Sequence, residues 1–159
     1  MYYNGAVGHV EGRTTTADGY NVGLRWQCVE FVKRYYLERF GHRMPDPRGN
    51  AKDFFDTHLK DGAMNTARGL IQYRNGGATV PEVDDIIVFG RWVLNPYGHV
   101  AIVSRVDGES IEIVQQNPGP FSLSREVLAL THKGNDSIYV GSGRILGGNV
   151  AGWLRRSPK

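Results

Sequence analysis

The chain has 159 residues, 40% of them hydrophobic, with 21 glycines, seven prolines and a formal net charge of +3. That length supports one core and is too short for two domains of ordinary size, so a single domain over residues 1–159 is expected. No apolar run reaches the ~20 residues of a membrane helix, the start MYYNGAVGHV lacks the regions of a signal peptide, and the basic residues are dispersed without interleaved aromatics; a membrane span, an export signal and a nucleic-acid partner are therefore not expected.

Residues 1–24 are rich in Gly, Thr and Asn with little periodicity and read as an irregular arm. From Gln27 to Phe40 the helical template fits, with Cys28, Phe31, Val32 and Tyr35 on one stripe, Glu30, Lys33, Arg34 and Glu38 away from it, and Gly41 as the stop. A second helix is expected from Ala51 to Leu59, capped by Asn50 and burying Phe54 and Phe55. After RNGGATVPEVDD the period becomes extended: IIVFGRW, HVAIVSRV and SIEIVQQN, then weaker strands near SIYV and GRILGG. The closing WLRRSPK reads as a solvated tail. Helices followed by strands with no helix between them give an α+β class, N-terminal helices packed on an antiparallel sheet.

Cys28 is the only cysteine, so no internal disulfide forms. On an apolar helical stripe it has two readings, a small buried hydrophobe or a nucleophile helped by the positive end of the helix. A nucleophile needs a base. His9, His42, His58 and His132 occupy ordinary positions and are assigned to the surface, whereas His99 opens an apolar strand just after a Pro and Gly turn in NPYGHVAIVS. The VDGES hairpin leaves two registers. A two-residue Asp107-Gly108 turn sets Gln116 across from His99. A three-residue loop pairs Val103 with Ile113, keeps the apolar face continuous, and turns Gln115 and Asn117 toward His99; that register is preferred. Either amide could then accept from Nδ1 and leave Nε2 to exchange a proton with Cys28.

Taken in order, WQCVEFVKRYY, VDDIIVF, YGHVAIVS and IEIVQQN resemble the CHAP family of cysteine amidases and peptidases. The pattern, together with the closing Gly-Trp, is also similar to the amidase half of bacterial glutathionylspermidine synthetase/amidases. The resemblance implies a papain-like fold in which Cys28 attacks an amide carbonyl, His99 is base and then acid, and Gln115 and Asn117 match the family's Glu-x-Asn pair. Gln115 departs from that pattern by replacing a carboxylate with an amide. Asp84 departs by standing where glycine is common, which aspartate's tolerance of left-handed turns accommodates. The Cys28 backbone N–H and Gln27 are candidate oxyanion donors, and Trp26, Tyr97 and Trp92 are candidate walls of a substrate groove.

No metal or cofactor is expected, because the sequence contains no calcium loop, zinc-spaced histidine pair or phosphate-binding glycine loop. The expected substrate is bacterial peptidoglycan, which the basic balance suits. Two alternatives stand beside it: a small amide such as glutathionylspermidine, and a non-catalytic wall- or partner-binding module. The location that fits peptidoglycan is outside the cytoplasm, in periplasm or cell wall, with the cytoplasm as the alternative. An inhibitor or immunity protein is a conceivable partner of such an enzyme.

Overall fold

The computed structural model describes residues 12–119, 122–134, 136–143 and 148–158. The arm is not irregular where it is described: β1 (Arg13–Thr15) and β2 (Asn21–Leu24) form an antiparallel pair. Next comes the helix α1 (Cys28–Phe40), with Gln27 as N-cap and Gly41 in the left-handed region at φ 64° closing it, the Gly41 N–H donating to the Leu37 carbonyl and the His42 N–H to the Tyr36 carbonyl. The expected second helix is only a short 3-10 turn, Ala51–Phe54. Its start is capped as anticipated, the Asp53 carboxylate accepting from the Asn50 N–H at 2.8 Å. Continuation is blocked because the Asp56 backbone is engaged at both ends by the buried Gln72 side chain, N–H to Oε1 at 2.8 Å and O from Nε2 at 2.7 Å. Phe54 and Phe55 are nevertheless buried.

Among the described residues, eight strands make one antiparallel sheet. They are β3 (Ala63–Asn65), β4 (Leu70–Arg74), β5 (Ile86–Phe89), β6 (His99–Asp107), β7 (Ser110–Val114), β8 (Arg125–Lys133), β9 (Ser137–Val140) and β10 (Val150–Arg155). Their spatial order is β3-β4-β10-β5-β6-β7-β8-β9. The GRILGG segment lies largely outside the described residues. The two ends of the sheet curl toward each other: Asn75 donates to the Val140 and Val150 carbonyls and accepts from the Val140 N–H, and Gly76 donates to Ile138.

Period-two alternation sorts the side chains onto two faces. Ile87, Phe89, Ala101, Val103, Ile111 and Ile113 fill the concave side with Trp153. Ile86, Val88, Val100, Ile102 and Leu154 meet Val32 and Tyr36 of α1 and Phe54 on the other. Among the described residues one α-helix, rather than a set of N-terminal helices, therefore packs on a mostly β domain.

Two polar assignments are corrected by this packing. Glu30 and Lys33 do not face solvent, since the β1–β2 arm covers that side of α1: Lys33 Nζ donates to the carbonyls of Asn21 and Pro47, and Glu30 pairs with Arg34 at 2.9 Å. Gly23, at φ 140°, makes that approach possible, because a Cβ there would stand 2.9 Å from the Glu30 Cα. Nor is WLRRSPK a solvated tail. It begins inside β10, where Trp153 and Leu154 are fully buried and Arg155 donates to the buried Asp85 carboxylate at 2.7 Å. Asp84 does adopt the left-handed conformation, at φ 77°, with its carbonyl accepting from Tyr36 Oη at 2.7 Å.

Because Trp153 is fully buried in a strand between two neighbours, Trp153→Ala should cost about 3–5 kcal/mol in urea unfolding. A loss below about 1 kcal/mol would restore the tail reading.

Candidate active site

α1 and β6 pack together so that the helix start and the strand start open into one cleft, a cavity of about 740 Å³ lined by Cys28, His99, Gln27, Asn117 and Tyr97 among others. The entry to β6 is built on Gly98. Its φ is 75°, and a Cβ there would lie 2.7 Å from the Phe89 carbonyl and 2.8 Å from the Lys52 nitrogen. Only glycine lets the chain turn so tightly before His99. On the other side, Trp26 holds φ 60°, an unusual conformation for a bulky residue, immediately before the Gln27-Cys28 pair.

Cys28 is the first residue of α1. The macrodipole there favours thiolate by up to about 1 kcal/mol, less than one pKa unit, whereas burial can move a pKa by several. Burial wins. The thiol is pushed up to about 11, partly offset by the backbone N–H groups of Val100, Val29 and Cys28 itself.

His99 is fully buried, with its ring 5.8 Å from that of Phe89. Desolvation pushes its pKa down to about 4, against a smaller opposing effect of Gln115. Both shifts point to a resting pair of neutral thiol and neutral imidazole. No hydrogen bond joins Cys28 to His99 among the described residues.

The hairpin reaches the preferred register by a different route. Val103 pairs with Ile113, but the turn is a tight one between Asp107 and Ser110, and an irregularity at Ser104 restores the alignment. Gln115 is then the amide that meets His99, its Oε1 2.9 Å from Nε2. The ring nitrogens are thus reversed relative to expectation. With Nε2 as donor to the amide oxygen, Nδ1 carries the lone pair.

Asn117, at φ 51°, has left the strand direction and donates instead to Gln27 Oε1 at 2.8 Å. This bond fixes which end of the Gln27 amide is the acceptor. Gln116, the alternative third residue, is also buried but makes no hydrogen bond to His99, and its Nε2 has no hydrogen-bond partner among the described residues.

The aromatic candidates divide. Tyr97 lines the cleft; Trp92 packs on the sheet's core cluster and pairs with Asn95; Trp26 does not line the cleft. Among the histidines, His58 and His132 are exposed as expected, His42 is half-buried with Nε2 2.9 Å from the Arg68 carbonyl, and His9 lies outside the described residues. Sequence reasoning missed Arg13 and Arg48, which stand on the cleft rim as isolated bases in segments without periodicity. It also missed Glu126, which accepts from Gln115 at 3.1 Å. No group of three or more His, Cys, Asp or Glu suited to a metal ion occurs among the described residues.

A family model described as "CHAP domain" matches residues 17–117. Trypanothione synthetase of Crithidia fasciculata is 33% identical over 106 residues, covering 67% of this chain and 16% of that protein. Glutathionylspermidine synthase of the same organism is 30% identical over 138 residues, covering 79% of this chain and 19% of that protein. The bifunctional glutathionylspermidine synthetase/amidase of Escherichia coli is 28% identical over 98 residues, covering 60% and 16%. The chain therefore spans less than a fifth of the length of these relatives.

A neutral resting pair has two measurable consequences. Histidine NMR should place the His99 titration at about 4. Between pH 6.5 and about 4 the unfolded chain binds a proton at this residue that the folded chain does not, so the folded state should lose roughly 3 kcal/mol as pH falls through that window. Iodoacetamide labelling of Cys28 should accelerate with pH toward about 11. A flat rate from about pH 5 to 8 would mean a thiolate and imidazolium at rest.

Proposed function

The chain belongs to the CHAP domain family, and from that membership together with Cys28 and His99 on one cleft we propose that it is a cysteine amidase or peptidase. The observation that carries this reading is the Nε2 to Gln115 hydrogen bond, which leaves the basic nitrogen of a buried imidazole for proton exchange. In the proposed reaction the Cys28 thiol attacks an amide carbonyl while its proton passes to His99 Nδ1. The imidazolium then protonates the leaving nitrogen, giving amine and a thioester on Cys28. Water, deprotonated by His99, releases the acid and the thiol. The Cys28 backbone N–H and the Gln27 amide, oriented by Asn117, are the proposed oxyanion donors.

A pair that starts neutral develops its charges during attack, so Gln115 has its largest effect when His99 becomes cationic. We assign the cleft to an acyl group bearing carboxylates, because Arg13 and Arg48 line it and no Asp or Glu does among the described residues. Peptidoglycan stem peptides, which are acidic, are the first choice, with action in periplasm or cell wall. A small amide such as glutathionylspermidine is the second, favoured by the relative named a synthetase/amidase; its cationic polyamine would have to leave the cleft away from the two arginines. Activity is assigned to residues 1–159 as one domain, needing no metal.

Wild type and Cys28→Ala should be incubated with purified peptidoglycan and the soluble fragments weighed by mass spectrometry. Fragments with wild type alone are expected. Equal release by the variant would sink the assignment, and no release at all would direct the same comparison to glutathionylspermidine. On the substrate that is cut, Arg48→Ala should raise KM several-fold with kcat little changed, the signature of lost ground-state attraction. Asn117→Ala should instead lower kcat by about tenfold or more through Gln27.

A further inference from the structure

Position 126 is out of keeping with its strand. Along β8 the odd residues Arg125, Val127 and Ala129 are exposed, while Leu128 and Leu130 point into the core with Glu126, which is 7% exposed. A carboxylate on the core face carries a desolvation cost that hydrogen bonds must offset. One of those bonds comes from Gln115. The Gln115 Nε2 donates to Glu126 Oε2 at 3.1 Å and to the Leu123 carbonyl at 2.7 Å, while its Oε1 faces His99 Nε2 at 2.9 Å. The backbone closes over the carboxylate at Gly143, φ 59°, where a Cβ would stand 2.8 Å from Glu126 Oε1.

This arrangement permits one orientation of the amide. Rotating it by 180° would set Oε1 against the Leu123 carbonyl and a Glu126 oxygen, acceptor against acceptor. We propose that Glu126 is a positioning residue for the reaction: acting through the Gln115 amide, it fixes the Nε2-protonated tautomer of His99 and supplies negative charge behind the imidazolium that forms when Cys28 attacks. A carboxylate next to the amide's N–H polarises its carbonyl oxygen, making it the stronger acceptor for the cationic ring. Leu123 supplies orientation without net charge. Glu126 supplies both.

The inference rests on the Cys28 and His99 reading, so one of its tests is independent of turnover. Full-length wild type, Glu126→Gln and the exchanged pair Gln115→Glu/Glu126→Gln are compared by histidine NMR and by kinetics on the substrate identified above. In Glu126→Gln the His99 titration should fall by about one pH unit, and kcat should fall about tenfold with KM within about twofold. The exchanged pair places the carboxylate directly on Nε2; its His99 titration should rise above wild type and kcat should recover to within a few-fold of wild type. Glu126→Gln with unchanged His99 titration and unchanged kcat would overturn the proposal and leave Glu126 a structural residue. If Glu126→Gln does not fold, the exchanged pair decides alone, and a His99 titration at or below wild type overturns it. If no substrate is cleaved by any form, the amidase reading fails while the NMR comparison still judges the link between Glu126 and His99.

Discussion

Cys28 can be held at one place relative to His99 because the start of α1 packs against the start of β6, with the Val100 N–H directed at the thiol. Everything else at the site serves that contact. Val32 and Tyr36 anchor the helix on Val100 and Ile102, β5 and β7 hold β6 from both sides, and the arm seals the helix's polar flank through Lys33. The contact also buries His99 fully and leaves Cys28 half-buried. Burial raises the thiol and lowers the imidazole, so the same packing that positions the pair keeps it uncharged at rest.

In the proposed reaction, a pair that starts neutral shifts the electrostatic burden to the moment of attack. A charge that appears in a dry site must be met by dipoles already aimed at it. In the proposed reaction the side chains that would meet it are amides: Gln115, bonded to His99, and Gln27, bonded to Asn117. Amides are effective only if their two ends are distinguished, and each has a partner that distinguishes them. The proposed preference for anionic groups is separate, since Arg13 and Arg48 line the cleft and their charge acts over a longer range than hydrogen bonds reach.

What could be read from the sequence was local. The helix from Cys28 to Phe40, the three strands from Ile86 to Val114 and the special position of His99 follow from periodicity and turn residues. The pairing of Val103 with Ile113 followed from keeping one face apolar, although the irregularity at Ser104 that delivers it carries no sequence mark. β8 escaped notice because its alternation is disguised, a glutamate facing inward and Val127 outward. β10 and the arm escaped because their partners are distant in sequence: Arg155 meets Asp85, and Asn21 of the arm meets Lys33 and Pro47. A charged residue looks solvated until the chain that covers it is known. Which ring nitrogen of His99 meets Gln115 likewise carries no mark in the spacing of the sequence.

The account turns on a covalent thioester at Cys28. Its most direct test is intact-protein mass spectrometry of enzyme mixed with the cleaved substrate and quenched in acid within the first turnovers. The account predicts an added mass equal to the acyl fragment, confined to the peptide that contains Cys28 and absent when His99 is alanine. Product formation with Cys28 unmodified at every time point, and with turnover retained in Cys28→Ala, would contradict it.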